Sequence, residues 1–202
     1  MIRKWMLLPV LTATLVSAAP LTQGERDFAM SHMHASRKLF LDSVANLTPE
    51  QLNFKAGPDR WSIAECAEHI ALAEDFISGS IQEKIMKGPA VEDKRTAEEI
   101  KMKDDLIVKA VVDRSHKFQA PEPIRPVKTF ATIDEAVAHF KESRDKNIAY
   151  IETTTDDLRG HVAPHPVAGP LDSYEWYLLM SAHTERHTLQ IEEVKAAANY
   201  PK

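Results

Sequence analysis

Trp176-Tyr177-Leu178-Leu179-Met180-Ser181-Ala182-His183-Thr184-Glu185-Arg186-His187-Thr188-Leu189-Gln190-Ile191-Glu192-Glu193-Val194 is the stretch that decides the fold. Within it Trp176, Met180, His183, His187, Gln190 and Val194 recur at intervals of four, three, four, three and four. That rhythm follows one face of an α-helix, because positions three and four apart line up at about 3.6 residues per turn. The face reads as a core-packing one, so His183 and His187 stand where apolar side chains are expected in a buried seam. On a helix, residues four apart differ by about 40° in direction and about 6 Å along the axis. Two imidazoles at that spacing can share one metal ion.

Working outward, the sequence predicts three more long helices and one long crossover. The first helix runs from about residue 22 to 46. Thr22-Gln23-Gly24-Glu25 is a capping box, and Phe28, Ala35 and Leu39 with Met33, Phe40 and Val44 make a broad apolar stripe. Leu47-Thr48-Pro49-Glu50 closes it, and Ala56-Gly57-Pro58-Asp59 marks a turn. A second helix starts at Ser62, three residues before Glu65, with Ile63, Ala67, Ile70, Ala73 and Ile77 on one face, and fades near Lys87-Gly88-Pro89.

Residues 88–130 read as the crossover, with room for a short helix from Thr96-Ala97-Glu98-Glu99 onward. A third long helix covers about 133–157, with Ile133, Val137, Phe140, Ile148 and Ile151 inward. Residues 160–170 read as a loop holding His161, His165 and three prolines, and the last helix covers about 172–198. No β-type alternation competes. The expectation is an all-α four-helix bundle over residues 22–198, with the crossover between its second and third helices.

The N-terminus reads differently. Arg3 and Lys4 precede an apolar run from Met6 to Val16, and Val16-Ser17-Ala18 offers small residues for cleavage. Residues 1–18 are expected to be a secretory signal peptide, with the mature chain secreted or periplasmic and without a stable membrane span. Losing Arg3 and Lys4 makes the formal net charge of −5 more negative by two units, which argues against a nucleic-acid partner. Cys66 is the single cysteine, so no intramolecular disulfide can form, and no cysteine follows the cleavage site to carry a lipid.

The histidines carry the chemistry. His69, in Glu65-Cys66-Ala67-Glu68-His69, lies about two turns into the second helix. Joined to His183 and His187 across the bundle, it would complete a three-histidine site with one coordination position open. Imidazole suits zinc, nickel, copper or iron. Such an ion can acidify a bound water or keep a bound thiol deprotonated. A metal also accounts for two polar rings on an apolar stripe, where an unpaired buried group costs about 1–3 kcal/mol.

His183-Thr184-Glu185-Arg186-His187 is not a zinc-protease motif. Its glutamate follows the first histidine by two positions, about 200° round the helix, and so points away. Glu65 and Gln190 are candidates to orient the ligands, although Glu65 has a capping role of its own. Cys66 reads as a small core residue, and His161 and His165 are candidates for the mouth of a pocket. His32, His34, His116 and His139 form no pattern. No catalytic base is assigned.

Three stretches together resemble the DinB-like (DinB/YfiT) superfamily. They are Leu47-Thr48-Pro49-Glu50-Gln51-Leu52 leading through Arg60-Trp61-Ser62 to His69-Ile70; Asp113-Arg114-Ser115 with Ala120-Pro121 and Arg125-Pro126; and Glu175-Trp176 with His183, Arg186-His187 and Gln190-Ile191. The resemblance implies a divalent metal, zinc or nickel, on His69, His183 and His187. It also implies an unusual bundle connectivity with a long crossover. The activity it implies is a metal-dependent transferase or hydrolase acting on a small molecule, of the thiol S-transferase type. A non-catalytic, stress-associated metal-binding bundle is the alternative, and a bundle without metal is the third reading. The family name implies no DNA polymerase. Exposed apolar residues on the first and third long helices would permit a homodimer.

Overall fold

The computed structural model describes residues 20–202, so the expected leader at 1–18 lies outside the described residues. Four long helices make the bundle: α1 (Gln23–Val44), α3 (Ile63–Ser80), α5 (Ile133–Thr153) and α6 (Ser173–Lys195). Between them come the short α2 (Pro49–Asn53) and, in the crossover, α4 (Ala97–Val112). Their starts are written locally. Thr22, Thr48, Ser62, Thr96 and Asp172 each cap a helix through a capping box with the residue three positions on. Each cap satisfies backbone N–H groups that would otherwise be orphaned, worth about 1 kcal/mol.

α1 packs on α5 and α6, and α3 packs on the same two helices, which closes the four into a bundle. α4 lies on the remaining side of α6. As a result α6 is enclosed by α1, α3 and α4, and residues all round it are buried, from Tyr174 and Leu178 to Ile191 and Val194. α3 ends in one π-helical turn, Ile81–Ile85, before Gly88 accepts the change of direction into the crossover.

The core divides into two apolar clusters. One holds Met33, Ala73, Ile77, Ile151, Tyr177 and Leu178; the other holds Phe40, Ile63, Ile70, Phe140, Ile191 and Val194. Between them lies a polar layer centred on Arg144, which is fully buried. All five of its N–H donors are used. Nε and Nη2 donate to the two Glu74 carboxylate oxygens, each at 2.7 Å. Nη1 donates to the Met33 carbonyl (2.9 Å) and Ser36 Oγ (2.8 Å), and Nη2 also donates to Thr184 Oγ1 (2.9 Å).

That layer corrects the reading of α1. Met33 and Phe40 are buried as expected, but Ala35 and Leu39 face solvent and Ser36 and Ser43 are buried instead. Arg144 draws the Ser36 hydroxyl inward, which turns the buried face of the helix away from the apolar stripe.

Two further corrections concern the loops. Residues 160–170 are not all loop: β1 (Val162–His165) and β2 (Gly169–Asp172) form an antiparallel hairpin, so the fold is mainly rather than wholly α. Pro164 faces Pro170 across it, and two residues without N–H groups hide the strand pattern. Gly169, at φ 72°, makes the turn with a conformation open to glycine. The Thr48-Pro49 stretch, expected only to end α1, starts the separate helix α2.

Candidate metal centre

Three imidazoles converge where α3, α6 and the crossover meet. His69 Nε2 lies 3.1 Å from His187 Nε2 and 3.2 Å from His183 Nε2. Bonds of about 2.0–2.1 Å in a tetrahedral zinc site separate ligand nitrogens by about 3.3 Å, so the spacing fits one ion. Among the described residues, no carboxylate or thiol joins this group. His69 is buried, at 1 % exposure, while His183 and His187 are half-buried. The seam expected on α6 therefore faces the crossover and the open edge of the bundle, and the helix buries its other faces more deeply.

The far nitrogens decide what the near ones can do. His69 Nδ1 donates to the Ile124 carbonyl at 2.6 Å, because a carbonyl can only accept. His187 Nδ1 donates to Gln190 Oε1 at 2.9 Å. In a neutral ring with its proton on Nδ1, Nε2 is a bare lone pair. Two lone pairs 3.1 Å apart form no hydrogen bond. They repel unless a cation sits between them.

A proton is a poor candidate for that cation. Burial lowers the pKa of His69 to about 4, against the smaller opposing effect of the Ile124 carbonyl. Burial, and then the neighbouring histidines, hold His183 and His187 well below the ordinary imidazole range. The three rings are neutral at pH 7 and ready to ligate.

The crossover is fastened beside each half of the site. Glu68, one residue before His69, accepts from the backbone N–H groups of Val127 (3.0 Å), Lys128 (3.2 Å) and Thr129 (2.7 Å). Arg186, one residue before His187, donates to the carbonyls of Val111, Asp113 and His116. Trp61 packs over the rings, 4.8 Å from His69 and 6.0 Å from His187 between centroids.

Of the other candidates, Gln190 takes the orienting role expected of it. Glu65 does not: its carboxylate caps α3 at Ser62 and pairs with Lys55. Cys66 is a core residue, and burial pushes its thiol up to about 12. His165 lies outside the cluster. Its ring packs on Trp176 at 5.1 Å, and its Nδ1 accepts from the N–H groups of Val167 and Ala168 in the hairpin turn. His139 bonds to Asp75 and His116 to Ser115, both away from the site. The roles of Ile124, Glu68 and Arg186 leave no mark in spacing, since each contact joins a side chain to a backbone group far away in sequence.

Fold and site together define a helical bundle with a three-histidine cluster able to hold a metal ion. A family model described as the DinB superfamily matches residues 32–191, and the chain belongs to that superfamily. It is similar to the uncharacterized protein YuaE of Bacillus subtilis (strain 168), 24% identical over 166 residues that span 82% of this chain and 96% of that one. Among solved structures it is similar to YfiT from Bacillus subtilis, with a TM-score of 0.56 and 14% identity, covering 90% of this chain and 91% of that one. YfiT is described as a probable metal-dependent hydrolase with an unusual four-helix bundle topology.

Proposed function

We propose that the protein is a metal-dependent enzyme acting on a small molecule, with zinc or nickel held by His69, His183 and His187. One observation carries the reading: the bare Nε2 lone pairs of His69 and His187 point at each other across 3.1 Å, with their far nitrogens committed elsewhere. A divalent ion there would supply Lewis-acid polarisation and lower the pKa of a coordinated water or thiol. Three neutral ligands leave the ion its full charge, which favours an anionic nucleophile. Hydrolysis is the reading we favour, in line with the description of YfiT.

The chain's own residues hold the rings, and among the described residues no carboxylate joins the cluster as a base. Cys66 takes no part, because its thiol is buried and un-ionised at neutral pH. The transferase reading is the second arm of the same test. If residues 1–18 direct export, the reaction takes place outside the cytoplasm.

Protein purified without a histidine tag should carry about one equivalent of zinc or nickel, and His183→Ala should abolish that loading. The loaded protein should turn over an activated ester or a thiol–electrophile pair. Activity that survives complete metal removal would overturn the proposal.

A further inference from the structure

We infer that Arg114, from the crossover, is a positioning residue that makes His187 able to bind metal by fixing which way round the Gln190 amide sits. The inference rests on the metal-centre reading above.

Gln190 Oε1 accepts from two donors at once, His187 Nδ1 at 2.9 Å and Arg114 Nη1 at 3.3 Å. An amide has one end that accepts and one that donates, and the two are nearly the same size. A guanidinium offers donors only. Arg114 therefore tolerates only the oxygen of Gln190 in front of it. With the amide reversed, its NH2 group would face the Arg114 N–H and also point at His187 Nδ1. Nδ1 would then have to accept. The proton of the neutral ring would move to Nε2, where it would block the nitrogen that faces His69.

Arg114 is itself held in register. Its Nε and Nη2 donate to the Glu193 carboxylate at 2.6 and 2.9 Å, and Nη1 also reaches the Arg186 carbonyl at 3.5 Å. Arg60 donates to the same Glu193 carboxylate at 2.9 Å. The chain of contacts runs Glu193, Arg114, Gln190, His187. Three of these residues lie on α6, and Arg114 alone comes from outside it. The crossover thus controls two of the three rings from behind: His69 through the Ile124 carbonyl, and His187 through Arg114.

The test measures zinc affinity of the full chain by competition with a chelating dye, and the His187 tautomer of the zinc-free protein by long-range proton–nitrogen NMR. Arg114→Ala and Gln190→Ala should each weaken zinc binding about tenfold to a hundredfold. The double variant should be no weaker than the weaker single one, because both act through the same bond. Arg114→Lys keeps the charge beside Glu193 but lacks the fork that reaches Gln190 as well. It should resemble Arg114→Ala, and its His187 should shift from the Nδ1–H form toward a mixture. It also serves as the readout if Arg114→Ala does not fold.

Native affinity in Arg114→Ala or Arg114→Lys, losses that multiply in the double variant, or an unchanged tautomer would overturn this inference. Absence of zinc uptake by the native chain would overturn the metal reading instead. A native chain that takes up zinc while its variants behave independently would overturn the role of Arg114 alone.

Discussion

His183 and Thr184 are neighbours on α6, yet they belong to polar clusters of opposite kind. Thr184 closes the layer around Arg144, where a fork of five donors meets five acceptors and the opposing charges of Arg144 and Glu74 cancel. His183 opens onto a group in which the bare Nε2 of His69 faces the bare Nε2 of His187, and among the described residues no carboxylate or thiol joins them. A closed network in a low-dielectric core satisfies its own members and specifies packing. An open one is incomplete by its own chemistry and calls for a ligand. Burial alone does not separate the two, since Arg144, Glu74 and His69 are all buried. The sign and number of the facing groups do.

The contrast can be broken most forcefully at Arg144. Arg144→Ala leaves the Glu74 carboxylate buried without its partner, which should cost about 3–5 kcal/mol. Urea unfolding should show it, and His183→Ala in the metal-free protein should cost far less, because it removes a half-buried neutral ring and leaves no buried charge without a partner. If the two variants cost the same, the distinction between closed and open clusters fails.

Acid sharpens the comparison next. Between the ordinary histidine value of 6.5 and the lowered value of about 4, the unfolded chain holds a proton that folded His69 does not. The unfolded state therefore binds more protons, and the metal-free protein should lose stability as pH falls through that window. Asp172 acts in the opposite sense: burial raises it to about 6, so its folded form holds the extra proton between 3.8 and that value. The pH slope should accordingly be compared between the native chain and His69→Gln. A shallower slope in the variant is expected, and equal slopes would refute the assignment.

The smallest effect is expected at Cys66. Cys66→Ala should cost about 1 kcal/mol for a small buried side chain and leave metal stoichiometry unchanged. The native thiol should react slowly with disulfide reagents at neutral pH. Rapid labelling without unfolding would place it at the site after all.

The histidine pair was legible because helical spacing is a local property: Trp176, Met180, His183 and His187 line up on any helix. His69 was legible through the Ser62–Glu65 capping box, which set where its helix starts. Ala35 and Leu39 face solvent against expectation because a charged residue more than a hundred positions away draws Ser36 inward and rotates α1 to suit itself. The hairpin was missed because paired prolines remove the alternation and the N–H groups by which strands are recognised.

What the sequence determined by itself was the long helices, the capped beginnings of the first two, and the pairing of His183 with His187 on one face. Those depend on contacts three or four residues apart. Tertiary structure decided which nitrogen of His69 and of His187 is free. Proton placement on His69 follows from a carbonyl 55 residues away, and on His187 from an amide whose orientation an arginine 76 residues from it dictates. Hydrogen-bond direction is set by whichever partner folding brings within about 3 Å, and spacing along a chain carries no record of it.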